Sequence, residues 1–131
     1  MGDPIRFRDD QAPDEPAVSL DAFLDQSNAS TVRIEAGDDV RLLLPYLARV
    51  RLVEIDFPRF RDGRGFSSAR ILREAGYTGE IRATGDVLVD LVFFMRRCGF
   101  DSFEIRADRD AADEDGDDAH HELMRILYSH Y

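Results

Sequence analysis

The sequence predicts a single α/β domain, spanning residues 1–131, in which repeated βα units build a four-stranded parallel sheet with helices mainly on one face. Four segments alternate between apolar and polar residues, and each is followed by apolar residues at helical spacing. Strand–helix–strand repeats of this kind have right-handed crossovers and parallel strands. The alternation is clean, whereas parallel strands covered on both faces read as continuous apolar runs. We therefore expect one face of the sheet to be polar.

The four strands are predicted at residues 31–36, 51–57, 79–84 and 102–107. If they are adjacent in chain order, their polar face carries a row of alternating charge: Arg33, Glu54, Arg82 and Glu104. Such a row resembles the polar lining inside some (βα)8 barrels, and four units make half a barrel. The alternative is an open sheet whose polar face is covered by the N-terminal arm or by solvent.

The elements before the second strand are marked by polar residues that cap helices. Residues 1–16 are predicted to be a loose arm, tied down by Ile5 and Phe7, and Ser19 caps a short helix. After the first strand, Asp38 or Asp39 caps a helix that Pro45 must kink or restart.

The remaining helices follow the second, third and fourth strands. Ser67 opens one that ends at Gly76, and Asp86 caps the next, which Gly99 terminates. A final helix is expected over about residues 118–128, after an acidic loop at 108–118.

Two adjacent aromatic residues predict self-association. Phe93 and Phe94, on the predicted helix that Gly99 terminates, point about 100° apart, so one faces the sheet while the other is directed at a second surface. A twofold homodimer is the commonest outcome of such a surface.

Composition narrows the class of function. The formal net charge of −10 argues against binding to nucleic acid or to an anionic membrane. No apolar run is long enough to cross a membrane, so a cytoplasmic location is expected. All 17 basic residues are arginine, which excludes lysine chemistry, and the single Cys98 excludes an intrachain disulfide.

An arginine-rich loop after the second strand is the strongest functional signal. A strand, a basic loop with glycines and a helix start together form an anion site at the carboxyl edge of a sheet. The predicted anion-binding residues are Arg59, Arg61, Arg64, Ser67, Arg70 and Arg82. The alternative is that Arg59 or Arg61 pairs with Asp56, Asp62 or Asp86 and thereby holds the loop in place.

Asp56, at the end of the second strand, is the candidate acid/base. The alternative role for Asp56 is that of a metal ligand. No set of metal ligands is evident in the sequence, because His120 and His121 lack further ligands at fixed spacing. Dinucleotide-binding and phosphate-loop motifs are also missing, so any redox group must be a bound cofactor, of unknown identity, or belong to a partner.

Six short motifs resemble those of a bacterial domain-of-unknown-function family that is labelled an oxidoreductase of sulfite reduction. They are Ile55-Asp56-Phe57-Pro58-Arg59-Phe60, Asp62-Gly63-Arg64-Gly65-Phe66-Ser67, Ala69-Arg70, Gly76-Tyr77-Thr78-Gly79-Glu80, Gly85-Asp86-Val87-Leu88 and Arg97-Cys98-Gly99-Phe100-Asp101. The resemblance implies a role in sulfate assimilation, with sulfite reductase or another protein of sulfur assimilation as partner.

Two functions are therefore expected from the sequence. The first is an accessory protein of sulfite reduction that binds an anionic small molecule or a redox partner. The second is a small enzyme for a sulfo- or phospho-substrate, with Asp56 as acid/base and the arginines as a clamp.

Overall fold

A computed structural model of the chain describes residues 4–25, 28–58 and 63–104. In this part of the chain, six strands form one sheet in the order β1-β6-β5-β4-β3-β2. The strands are β1 (Ile5–Arg6), β2 (Val18–Ser19), β3 (Thr31–Ile34), β4 (Leu52–Phe57), β5 (Glu80–Gly85) and β6 (Ser102–Phe103). The mixed α/β class is confirmed, but the sheet has two more strands than the sequence predicted.

The four expected strands are mutually parallel and adjacent in chain order, as predicted. The two additional strands lie at the outer edges: β2 pairs parallel with β3, and β1 pairs antiparallel with β6. The antiparallel β1 departs from the all-parallel arrangement of a (βα)8 half-barrel. The expected tie of the N-terminal arm is present, because Ile5 is buried and the Phe7 ring contacts Phe103 edge-on at 5.9 Å.

The helices cover one face of the sheet, where the apolar strand residues form the core. Val32, Val53 and Ile81 lie side by side across three strands, and each is fully buried. Helix α1 (Leu20–Leu24), a 3-10 helix (Val40–Arg49), α2 (Gly63–Glu74) and α3 (Val92–Arg97) supply the other side of this core. The prediction of a helix-covered apolar face is confirmed.

The polar face has a register that differs from the predicted charge row. Arg33 pairs with Glu54, and Glu54 with Arg82, but Arg82 lies opposite Ser102 rather than Glu104. The row continues from Ser102 to Arg6 on β1. The predicted last member of the row, Glu104, was therefore wrong. Alternation determines which face of the sheet a residue lies on, but a shift of two residues in the pairing leaves that face unchanged, so alternation does not determine the partner.

The first two helices begin at their predicted caps. The hydroxyl of Ser19 accepts a hydrogen bond from the Ala22 amide, and the carboxylate of Asp39 accepts one from the Arg41 amide. The segment that contains Pro45 is a 3-10 helix throughout. Proline has no N–H and clashes with the carbonyl four residues earlier, so an uninterrupted α-helix is disfavoured there.

Two predicted helix starts were wrong. Helix α2 begins at Gly63, so Ser67 lies inside it rather than at its start. Asp86 does not cap a helix: a short 3-10 turn begins at Val89, preceded by Leu88 without a side-chain cap, and continues into α3. The Asp86 amide instead donates to the Phe57 carbonyl at 2.7 Å.

The helix ends were predicted correctly. Gly76 and Gly99 have φ values of 93° and 120°, a region that residues with a Cβ rarely occupy. The expectation for the two phenylalanines is also confirmed, since Phe93 packs against the core while Phe94 is 48% exposed. The homodimer that this pattern suggested stays a prediction.

The acidic loop at 108–118, His120, His121 and the final predicted helix lie outside the described residues. None of the helices in the described part is long and apolar enough to span a bilayer.

Candidate functional site

The polar face of the sheet is organised around one buried carboxylate. Glu80 on β5 is only 2% exposed. Its oxygens accept hydrogen bonds from Arg6 at 2.6 Å, from Ser102 at 2.7 Å and from Arg82 at 2.9 Å. Arg82 also donates to the Ser102 hydroxyl at 3.1 Å. Three strands, β1, β5 and β6, are therefore tied together by a single carboxylate.

Electrostatics explain why Glu80 stays ionised in this position. Burial alone disfavours the charged form, but the hydrogen bonds from Arg6, Ser102 and Arg82 outweigh it and hold the pKa of Glu80 below its ordinary value. The same contact with Glu80 raises the pKa of Arg6. Arg6 also pairs with Asp10, and Arg82 lies 4.0 Å from Glu54, so both arginines are paired within the protein and the cluster is a structural feature of the sheet.

Two of the predicted site residues lie on this face. Arg82 is bonded to Glu80 and Ser102 and lies 4.0 Å from Glu54. Asp56 lies opposite Thr84, whose hydroxyl is 3.4 Å from its carboxylate. Because Arg82 is nearly buried and already paired with Glu80, it is not placed to hold an external anion.

A groove on the opposite side of the molecule lies between two helices. We call it the α2–α3 groove; it has a volume of about 520 Å3 and is lined by Phe66, Ser67, Arg70, Arg73, Glu74, Phe94, Arg97 and Cys98. Residues 66, 70 and 74 of α2 follow the four-residue spacing of one helix face, and residues 94 and 97 of α3 share a face with its C-cap, Cys98, at three- and four-residue spacing.

The side chains of the groove are arranged in layers. Both helices connect parallel strands on one face of the sheet, so they run in the same direction. The Phe66 and Phe94 rings meet across the groove, with centroids 5.6 Å apart. Arg70 and Arg97 each follow one helical turn later, and Arg73 and Cys98 come after them. One end of the groove is therefore aromatic and the next layer is basic.

The three arginines of the groove are held differently. Arg73 donates to the carbonyls of Gly99, Tyr77 and Gly79 and to the Asp101 carboxylate at 2.6 Å. Arg70 and Arg97 are exposed, and neither forms an ion pair with another described residue. The Arg97 guanidinium lies 6.0 Å from the centroid of the Phe94 ring. Two cationic groups are thus open to an incoming anion.

A second cavity, of about 310 Å3, lies at the amino edge of the sheet. Much of its charged lining is paired, although the exposed Arg51 is not part of these pairs. Arg8 bonds Asp10, Asp101 and the Thr78 carbonyl, and the bonds from Arg8 to Asp10 lower the pKa of that aspartate to about 2. The Tyr77 hydroxyl donates to the Val50 carbonyl, and burial raises its pKa. Most of the polar groups in this cavity therefore contribute to holding the amino edge of the sheet.

Comparison with known proteins gives a family. The model of a bacterial protein family of unknown function, DUF934, matches residues 31–126. The chain belongs to this family. No curated protein and no solved structure matches it. The suspected membership in a bacterial domain-of-unknown-function family is therefore confirmed.

In this DUF934 family member, the structure separates the residues that the sequence grouped into one site. Ser67 and Arg70 lie in the α2–α3 groove, and Arg64 is exposed on the first turn of α2. Asp56 and Arg82 lie on the polar face of the sheet, on the side opposite the groove. Arg59 and Arg61 fall outside the described residues.

Sequence reasoning missed the other groove residues, chiefly Arg73, Phe94 and Arg97 as partners of Arg70. A usable signal was present, because two consecutive helices each carry a phenylalanine followed by arginine one turn later. The signal becomes specific only once the two helices are known to be neighbours.

Proposed function

We propose that this protein is an accessory binding protein of sulfite reduction that receives an anionic group in the α2–α3 groove. The sulfite context comes from the resemblance of the motifs between residues 55 and 101. The place of binding is supported by one observation: Arg70 and Arg97 both line the groove, and neither forms an ion pair with a described carboxylate, including Glu74 of the same lining. Guanidinium groups bind oxyanions through paired hydrogen bonds.

The competing proposal, a small enzyme, has less support. It needs Asp56 close to an arginine clamp formed by Arg59, Arg61, Arg64 and Arg82. Among the described members of this clamp, Arg82 is bonded to Glu80 and Arg64 lies on α2, while Arg59 and Arg61 fall outside the described residues. We therefore favour binding over catalysis, with sulfite reductase or another protein of sulfur assimilation as the partner.

Calorimetry with sulfite and sulfate tests the anion site. Replacing Arg70 with glutamine should weaken anion binding about tenfold, since a charge-assisted contact contributes about 1.5 kcal/mol. Arg41→Gln is the matched control, because it removes the same charge from an exposed position on the 3-10 helix. Equal losses in both variants would mean that only net charge matters and that the groove is not the site.

Growth tests the role in sulfite reduction. A strain that lacks the gene should fail to grow with sulfate or sulfite as sole sulfur source and should recover with sulfide, which enters after the reduction. The wild-type gene should restore growth, and a gene with Arg70→Gln and Arg97→Gln should not. Normal growth of the deletion strain on sulfate would count decisively against this function.

A further inference from the structure

The α2–α3 groove has features that a bare oxyanion does not require. Resting on the proposed function, we infer that its ligand is an anion attached to a flat aromatic ring, of the chemical class of a nucleoside monophosphate. The juxtaposition that carries this inference is the pair Phe66 and Phe94 beside the pair Arg70 and Arg97.

The size of the groove is the first argument. A tetrahedral oxyanion fills roughly two water volumes, about 60 Å3. The groove measures about 520 Å3, within the range of sites that hold small organic ligands. Sulfite or sulfate alone would leave most of this space, including the aromatic end, without a contact.

The aromatic end is the second argument. The Phe66 ring contacts Phe57 at 5.3 Å and Phe100 at 6.2 Å, both of which are buried in the core. These contacts with the core hold Phe66 in place. Phe66 in turn contacts Phe94, which is 48% exposed. A ring that is held on one side and open on the other is a platform on which a flat ligand can stack.

The spacing of the two ends is the third argument. The backbone positions of the phenylalanines and of the arginines that follow them differ by about one helical turn, roughly 5.4 Å. The Arg97 guanidinium lies 6.0 Å from the centroid of the Phe94 ring. This separation is comparable to that between the base and the 5′-phosphate of a mononucleotide. A ligand of this class reaches both layers at once, with its ring on Phe94 and its anion between Arg70 and Arg97.

Binding by four probes, measured by calorimetry, separates the two ends. AMP carries ring and anion, ribose 5-phosphate only the anion, adenosine only the ring, and inorganic sulfate is a bare oxyanion. We expect AMP to bind most tightly, with ribose 5-phosphate and adenosine each weaker by about tenfold or more. Sulfate should bind no better than ribose 5-phosphate.

Two variants assign each end to its side chains. Phe94→Leu should weaken AMP about tenfold and leave ribose 5-phosphate unchanged, because it removes only the stacking ring. Arg97→Gln should weaken both probes. Tyr46→Leu is the control, since Tyr46 is an exposed aromatic residue on the 3-10 helix, away from the groove, and its loss should change neither affinity.

The outcomes distinguish this inference from the proposed function. Equal affinity for sulfate, ribose 5-phosphate and AMP, all dependent on Arg70, would overturn the aromatic ligand and leave the anion site standing. Failure of every probe to bind the folded protein would overturn both. If Phe94→Leu also changed the mass in light scattering, the groove would instead be a contact between copies of the chain.

Discussion

The arginines of the polar sheet face and those of the α2–α3 groove differ in what already surrounds them. On the sheet face, Arg6 and Arg82 share the buried carboxylate of Glu80 with Ser102. In the groove, Arg70 and Arg97 are exposed beside phenyl rings and have no carboxylate partner among the described residues. The same side chain therefore stabilises the fold in one place and is available to a ligand in the other.

This difference shows that an abundance of arginine does not locate a site. A guanidinium group carries five N–H donors, and each donor that meets a carbonyl or carboxylate inside the protein is withdrawn from binding. What remains available is decided by tertiary contacts, which bring Arg6 to Glu80 across 74 residues of sequence.

The largest effect is expected for Glu80→Gln. This change leaves Arg6 and Arg82 with a buried neutral partner, and loss of one member of a buried ion pair costs about 3 kcal/mol. Urea unfolding should show a loss of this order in the free energy of unfolding, while anion binding in the groove stays unchanged. Glu35→Gln, at an exposed position, is the control and should have little effect. Equal stability of the two variants would remove the structural role of the network.

The same variant tests the charge state of Glu80. Its folded pKa lies below the ordinary value of 4.5, so its stabilisation is fully present above that pH and is lost as the pH falls through the folded pKa. The gap in stability between wild type and Glu80→Gln should therefore be constant near pH 7 and narrow in acid. If the difference in stability widened in acid instead, the pKa of Glu80 would be raised rather than lowered in the folded protein.

An intermediate effect is expected for Arg73, which lines the groove but is bonded like the sheet arginines. Arg73→Met removes donors from the carbonyls of Tyr77, Gly79 and Gly99 and from Asp101, so we expect a loss of about 2 kcal/mol in thermal or urea unfolding. Arg73→Lys keeps the charge but not the planar fork, and it should recover less than half of this loss. Full recovery of stability by Arg73→Lys would mean that the positive charge alone stabilises the segments 77–79 and 99–101.

The smallest effect on stability is expected for Arg70→Gln and Arg97→Gln. Substitutions of exposed side chains that belong to no hydrogen-bond or ion-pair network usually change the free energy of unfolding by less than about 0.5 kcal/mol. Each variant should therefore unfold at the wild-type urea concentration although it binds anions more weakly. A loss above 1 kcal/mol in either would place that arginine with the structural group and weaken the proposed site.

Much of the fold follows from alternation along the chain. Four central strands, their parallel direction and the apolar helical face were predictable because each is a local pattern repeated over several residues. Strands β1 and β2 were not, since each is two residues long and exists only through pairing with a neighbour. The start of α2 at Gly63 was missed because glycine is a poor helix former.

The site was less predictable than the fold. Ser67 and Arg70 were assigned to an anion site and do lie in the groove, but Arg82 and Asp56 were grouped with them through the shared carboxyl edge of the sheet. Sequence places Arg82 on the polar face correctly. It does not reveal that Glu80, two residues away on the same face, is buried and accepts its hydrogen bond.

The edge position of β1 and β2 has a practical consequence for the boundaries chosen to produce this protein. The family match begins at residue 31, whereas both outermost strands, Ile5–Arg6 and Val18–Ser19, precede it. A chain shortened to the matched region would present the bare backbone of β3 on one side and of β6 on the other, and Glu80 would lose its donor Arg6. Unpaired strand edges are templates for association with other chains, so the residues outside the family match protect those inside it from aggregation.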